Sequence, residues 1–497
     1  MLGEGMKYFL HLALILTVAT SGEAAMLKDS KKIVKTYMPF TLPLDPANVR
    51  TLVDLDLSYA LASTLVGWSA TRELVSGLAE SWTPTAEREM TFTLSEKAKW
   101  SDGTPVTADQ VVKSLMRAKR LHGDSLKTLF ELVENIEARS PKIIAFKLHQ
   151  PVAKSGIVRK LTEPMYGVVS VKSDGTLDLQ KSTGPFSLQA VSDSELTLVV
   201  NKHWASRRPD MPEFVMLRRP PAGDELQDAF LKDSWANLLG ASSLVAETTG
   251  KKYKEAHYAI WQRDLDKIFF VVPSPKLVND EGRTLIRFLN QNLRRESLVR
   301  GLSGFTLSDQ FFPKGYVLFD PEFQKKPGPE SVPKEFQKRP LIILGAQSRL
   351  NMILQENLAR AIKEALGVEP KFNIVPLNEF EKARAEGNYD ILAGSLPVND
   401  PNVEGAMGFF FGLTPPIIAN AGQSEKDFGA RVTAARKLED QLARNLEYRK
   451  VFTMAVQEGT LLPLFHYSTI VVAKQGIDLS LVPTTDETVA FSKVRFR

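Results

Sequence analysis

The side chains in this sequence that could do chemistry do not stand at the spacings that chemistry needs. A catalytic zinc site takes paired ligands, as in H-E-x-x-H, where two imidazoles one helical turn apart face the same metal. The six histidines, at positions 11, 122, 149, 203, 257 and 466, are scattered singly, and there is no cysteine to act as nucleophile, thiolate ligand or disulfide partner. A phosphate-cradling loop needs G-x-x-x-x-G-K-[ST], and Gly250-Lys251 lacks the upstream glycine. A nucleophile elbow needs one residue on each side of the serine between its glycines, which Gly301-Leu-Ser-Gly304 does not provide. No metal, cofactor or catalytic set is expected, and each lone histidine reads as a surface or satisfied core residue.

The composition frames that reading. With 497 residues, 43% hydrophobic and 24% charged, the chain has an ordinary globular composition. Its length suggests about three compact units. The formal charge of +5 is spread along the sequence rather than gathered in a basic run, so a nucleic-acid partner is not implied. Residues 1–25 read as a cleaved secretory signal. Met6-Lys7 opens a short positive region, Tyr8 to Val18 is apolar apart from His11 and Thr17, and Ser21, Gly22, Ala24 and Ala25 offer small residues to signal peptidase. That run is about 11 residues, against roughly 20 needed to span a bilayer, so export is expected rather than anchoring.

The elements that must position any site follow from periodicity. Lys32 to Thr41 begins as a strand, and Thr51 to Leu65 has helical apolar spacing. Met90 to Leu94 alternates as a strand, Ser101-Asp-Gly-Thr-Pro105 is a turn, and Thr107 caps a helix. Glu195 to Val200 is another alternating strand, and Pro321 to Pro340 is a loop rich in proline. Beyond it, strands at Leu341–Ala346, Lys371–Val375 and Tyr389–Ala393 alternate with helices at Asn351–Leu366, closed by Gly367, and Glu379–Glu386. This predicts a βαβαβ unit with a parallel sheet. A long helix from about Phe428 to Gln457 is expected to turn Leu438, Leu442, Leu446 and Phe452 to the core, followed by one strand, Leu461 to Val472.

One region carries a family signature. Gly77-Leu-Ala-Glu-Ser-Trp82, Thr91-Phe-Thr-Leu94 and Trp100-Ser-Asp-Gly-Thr-Pro-Val-Thr-Ala-Asp-Gln-Val-Val-Lys-Ser-Leu115 together resemble the extracellular solute-binding proteins of family 5, the peptide- and nickel-binding receptors of ABC importers. Shorter matches follow in order: Leu44-Asp-Pro-Ala47, Thr183-Gly-Pro-Phe186, Asn201 with Trp204, Tyr389-Asp390, Asn399-Asp-Pro401 and Leu462-Pro-Leu464. Trp82, Trp100 and the Asp102-Gly103 turn are themselves read as scaffold.

The resemblance implies an α/β, two-lobe periplasmic binding protein fold of type II with an extra subdomain on the first lobe. The implied layout is a first lobe of 26–55, 180–265 and 470–497, an extra subdomain of 56–179, and a second lobe of 266–469. It also implies a periplasmic, monomeric protein that binds an oligopeptide or other small solute between its lobes and hands it to an inner-membrane ABC permease. In peptide-binding members the ligand backbone pairs with strand ends, and the matching positions here are Gly67 and Trp68, Gly394, Ser395 and Leu396, with Asn399 and Asp400 beyond. Glycine at both places permits close backbone approach. Gly408-Phe-Phe-Phe-Gly412 reads as core or as the lining of a side-chain pocket. Many peptide binders place an aspartate for the ligand's ammonium a few residues after the second glycine. Here Val398 occupies about that position and Asp400 belongs with the later Asp-Pro pair, so the ammonium clamp is expected to be missing. A secreted hydrolase of another fold and a sensor built on the binding fold remain the alternatives.

Overall fold

The computed structural model describes residues 30–497 apart from 41, 43, 50–51, 70–72, 123–128, 151–153, 221–225, 233, 243–244, 247–250, 254, 263–266, 278–279, 348, 399–406, 408–409, 412–422 and 483–489. The signal-like segment, Asn399 and Asp400 lie outside the described residues. The chain divides into two compact units: unit 1 holds the residues up to Ala241, Tyr258–Trp261 and Val471–Arg497, and unit 2 holds Ser242–His257 and Gln262–Ile470.

Unit 1 runs through β1 (Ile33–Tyr37), α1 (Leu52–Leu61), β2 (Val66–Trp68), β3 (Leu74–Ser76), β4 (Ala79–Ala86), β5 (Glu89–Leu94), α2 (Ala108–His122), β6 (Val133–Ser140), β7 (Ile143–Leu148), β8 (Phe186–Val191), β9 (Glu195–Val200) and β10 (Phe214–Arg218). Two sheets fill separate cores. In the first, ordered β1-β10-β9-β8, β1 is parallel to β10 and the other pairs are antiparallel. It packs Val34, Phe186, Leu198 and Val215 against Leu57 and Leu61 of α1. The second, β4-β5-β7-β6, is antiparallel throughout. The alternation read in the sequence buries Met90, Phe92 and Leu94 on one face of β5, under Val111 and Leu115 of α2. The start of α2 closes as a capping box does, with the Thr107 N–H donating to Gln110 Oε1 at 3.0 Å.

Unit 2 is built on a six-stranded sheet. Its strands are β11 (Lys267–Pro273), β12 (Phe305–Leu307), β13 (Ile342–Ala346), β14 (Lys371–Val375), β15 (Ile391–Pro397) and β16 (Leu462–Tyr467), in the order β12-β16-β11-β15-β13-β14. The helices are α3 (Asp280–Asn292), α4 (Arg349–Leu366), α5 (Leu377–Glu386), α6 (Gln423–Ala435) and α7 (Gln441–Glu458). The βαβαβ unit forms as read, with β13 parallel to both β14 and β15. It occupies half of a mixed sheet, because β11 joins β15 antiparallel and β16 joins β11 antiparallel. The strands β11, β13 and β16 bury both faces. Phe269, Val271 and Ile343 pack with α3 and α4, while Ile268, Phe270 and Leu344 pack with α5 and α7. This accounts for unbroken runs such as Lys-Ile-Phe-Phe-Val-Val-Pro, which carry no alternation.

Three readings of the sequence are corrected here. The helix expected over 428–457 is two helices, because Asp440 accepts the Ala443 N–H at 2.6 Å and starts a new one. That break rotates the buried face onto Tyr448, Val451, Phe452 and Ala455, leaving Leu438, Leu442 and Leu446 exposed, Leu442 by 60%. The single strand expected over 461–472 is two, Leu462–Tyr467 and Thr469–Ala473, parted at Ser468. The third βαβαβ strand starts two residues late, at Ile391, and runs on to Pro397, so Gly394-Ser395-Leu396 lies within the strand rather than at its end.

Candidate functional site

The order β15-β13-β14 fixes where a parallel αβ unit can bind. The chain leaves β13 through α4 to β14 on one side and returns through α5 to β15 on the other, and the two helices pack on opposite faces of the sheet. Beyond the carboxyl ends of strands on either side of such a reversal, the connections part and leave the strand ends open. In unit 2 that place is the end of β13 and the last residues of β15. Gln347 turns away from β15, donating its N–H to the Val375 carbonyl at 2.7 Å. The ladder between β13 and β15 registers Ile343 with Ile391 and Leu344 with Leu392, whereas β11 follows β15 as far as Pro397. Past Leu392, therefore, β15 is paired on its β11 side, and among the described residues no strand is registered against its other edge. Ala346 and Gln347 were not singled out from the sequence; the signal that finds them is the reversed strand order, which is tertiary.

The side chains along this segment divide by face. At Gly394 a Cβ would press on the Leu392 side chain at 3.3 Å, closer than an ordinary contact, and touch the Phe270 ring at 3.7 Å. Leu396 packs with the α5/α7 core. Ser395 is exposed on the opposite face and shares a 2.5 Å hydrogen bond with the buried hydroxyl of Tyr467, across the intervening strand β11. Val398 is only 1% exposed, within the same core as Phe270 and Val272. Its side chain reads nothing outside the fold. Of the aromatic run, Phe410 is fully buried, its ring edge-on to Phe270 and Phe311 at 5.2 and 5.1 Å, and Phe411 packs against the same core, while Gly408, Phe409 and Gly412 lie outside the described residues.

In unit 1, Gly67 and Trp68 lie on β2, paired antiparallel with β3. A Cβ at Gly67 would meet only Val75 at an ordinary 3.7 Å, so packing does not require glycine there. The Trp68 indole N–H donates to Thr162 Oγ1 at 2.9 Å, and the Arg159 guanidinium stands 5.6 Å from the ring centroid. The polar end of the indole is thus held inside the unit while the residue keeps partial exposure.

The signature residues prove to be joints. Asp45 caps a 3-10 turn through the Ala47 N–H and takes a bidentate pair from Arg117 at 3.0 and 2.6 Å, tying α2 to the strand side of the unit. Gly184 packs its backbone against the end of α1, where a Cβ would sit 2.5 Å from the Ala60 carbonyl oxygen. Thr183 Oγ1 accepts the Ser63 N–H and donates to the Val168 carbonyl, and Asn201 donates to the Gly184 carbonyl at 2.9 Å. Trp100 is buried with its indole N–H on Gln110 Oε1 at 3.0 Å. Asp390 takes both guanidinium arms of Arg339 and the Ile342 N–H. His466 is buried in β16; burial pushes its imidazole down to about 4, against the opposing hydrogen bond to the Phe311 carbonyl at 2.9 Å. No group of three potential metal ligands occurs among the described residues.

Residues 73–258 match the family model described as bacterial extracellular solute-binding proteins, family 5 Middle. The periplasmic murein peptide-binding protein MppA of Escherichia coli strain K12 is 22% identical over 496 residues, which cover 89% of this chain and 89% of that protein. Among solved structures, NikA from Brucella suis in complex with Fe(III)-EDTA superposes with a TM-score of 0.77 at 16% identity, over 94% of this chain and all of that one. DppA from Helicobacter pylori, in complex with the peptide STSA, gives 0.73 at 16% identity over 93% of this chain and 97% of that one. The fold is thus that of the periplasmic binding proteins.

Proposed function

We propose that the chain, whose residues 73–258 match the model of the bacterial extracellular solute-binding proteins of family 5, belongs to that family and is the periplasmic substrate-binding component of an ABC importer, capturing an oligopeptide and delivering it to an inner-membrane permease. The observation that carries the peptide reading is the edge of β15 from Gly394 to Leu396, against which no strand among the described residues is registered, at the strand-order reversal of unit 2. An extended peptide adds to such an edge as one more strand, through main-chain hydrogen bonds that are indifferent to its side chains. Gly394 lets the ligand backbone come close. The proposal keeps Gly67 and Trp68, and Asn399 and Asp400 after the binding strand, as ligand-binding positions. The peptide named with DppA and the murein peptide named with MppA support this ligand class.

The same reading takes residues 1–25 as a signal removed on export and the mature protein as a monomer. It assigns 26–55, 180–265 and 470–497 to a first lobe, 56–179 to its extra subdomain and 266–469 to a second lobe. The separate core around Phe92 and Trp100 supports a subdomain there. The chain binds and releases its ligand unchanged. Val398, buried where peptide binders place an ammonium-pairing aspartate, supports a ligand whose amino terminus is not read by a carboxylate.

Native mass spectrometry of protein recovered from the periplasm tests the reading. A bound mass that resolves on release into short peptides is expected; a sugar or a metal chelate in its place overturns the peptide assignment.

A further inference from the structure

Tyr467 was not part of the site as read from the sequence, yet its hydroxyl is the partner of Ser395, whose side chain is exposed on β15 where no strand among the described residues is registered against its other edge. The contact is long-range, 72 residues apart in sequence, and it crosses a strand: Ser395 is in register with Phe269 of β11, and Tyr467 with Lys267 of the same strand. The Tyr467 ring is held firmly for this task. It is buried, its centroid lies 6.2 Å from that of Phe465, and Phe465 stacks on Phe269 at 5.2 Å with the planes 19° apart. Phe305, in register with Tyr467 on the other side, adds an edge contact to Phe465 at 6.5 Å. An aromatic wall thus fixes where the phenol oxygen stands, and the phenol oxygen fixes the serine rotamer.

A phenol is a stronger acid than an aliphatic alcohol, so in a bond this short the shared proton belongs to Tyr467, and Ser395 Oγ is the acceptor. The serine then keeps its own proton to donate outward, and a donor that is itself accepting is strengthened by the chain of hydrogen bonds. We propose that Tyr467 is a positioning residue that orients Ser395 to donate a hydrogen bond to a carbonyl or carboxylate oxygen of the bound ligand. This rests on the assignment of the β15 edge as the ligand site, and it adds that the site reads one acceptor on the ligand through a side chain rather than through the backbone alone.

Isothermal titration calorimetry with trialanine and with tetraalanine, each titrated separately, tests the proposal on the full mature protein and its variants. Ser395→Ala should weaken binding about tenfold and Tyr467→Phe by roughly three- to tenfold, the range of a single oriented hydrogen bond. The double variant should be no weaker than Ser395→Ala within about twofold, because Tyr467 acts through Ser395. Ser395→Thr, which keeps the hydroxyl, should stay within about threefold of wild type. Melting temperatures are recorded for each variant, since a merely structural contact would lower them without this coupling in affinity. Wild type that binds either peptide while all variants bind it equally well overturns the positioning role alone; additive losses in the double variant do the same. Wild type that binds neither peptide overturns the peptide reading itself, and the proposal with it.

Discussion

Replacing Asp390 by asparagine should destabilise unit 2 by an amount the geometry sets. The carboxylate stands one residue before β15 and accepts Arg339 Nη1 at 2.6 Å and Nη2 at 2.8 Å, while Oδ2 also takes the Ile342 N–H at 2.8 Å. Ile342 opens β13, so one side chain ties the end of the proline-rich segment to the starts of two neighbouring strands. Asparagine keeps the volume and one acceptor oxygen, but its NH2 must face either the guanidinium or the Ile342 N–H, and donor then meets donor. Hydrogen bonds to charged groups contribute about 1.5–3 kcal/mol when shielded. The Asp390 side chain is 9% exposed, but that of Arg339 is 35% exposed and keeps Glu335 at 3.0 Å, so solvent and the second acid offset part of the loss. A net cost of about 2 kcal/mol follows, or roughly 4–8 °C in melting temperature for a unit of this size. Differential scanning calorimetry is the assay, because all six tryptophans (68, 82, 100, 204, 235 and 261) lie in unit 1 and their emission reports only that unit. The control is Lys363→Gln, which breaks the solvated 2.6 Å pair with Glu369 and should cost less than about 0.5 kcal/mol. If Asp390→Asn melts with the control, the carboxylate is not the tie described here.

His466 carries a folded pKa of about 4, below the ordinary 6.5, so its stabilising effect is complete above pH 6.5 and is lost as pH falls toward 4. His466→Gln, which can still donate to the Phe311 carbonyl, should flatten the fall in urea midpoint between pH 7 and 4.5, a slope worth up to ~3 kcal/mol in wild type; an unchanged slope would mean other groups cause it. Gly184→Ala should lower the melting temperature sharply, since its Cβ would meet the main chain of α1 at 2.5–2.7 Å. Gly429→Ala, in the helix Gln423–Ala435 with nothing within 4 Å of the new methyl, should instead stabilise by about 0.5–1 kcal/mol. Free and N-acetylated trialanine should bind within about tenfold of each other, because a solvated ammonium contributes no more than about 1.4 kcal/mol; a hundredfold preference for the free amine, removed by Asp400→Asn, would place the clamp at Asp400. Amino-terminal sequencing of the periplasmic protein should give a first residue between Gly22 and Leu27, whereas an intact Met1 or Met6 in the membrane fraction refutes cleavage.

What the sequence determined by itself is local. Alternation placed β5 and β9, a capping threonine at 107 placed the start of α2, and glycine at 367 closed α4 in the left-handed region. The short matches at Gly184, Asp45 and Asn201 fall on joints whose geometry admits few other residues. The readings that failed needed information from across the fold. Leu438, Leu442 and Leu446 repeat at helical spacing, but one capping aspartate restarted the helix and the repeat ended outside the core. The length of β15 was set by β11, which pairs with it past the end of β13 and is 124 residues earlier in the chain at the Ile391–Pro273 and Pro397–Lys267 ends taken on average. The bond between Ser395 and Tyr467 spans 72 residues and exists only because β11 lies between their strands. Strand order, not residue type, decided which edge was left open, and no periodicity within a segment encodes its neighbours.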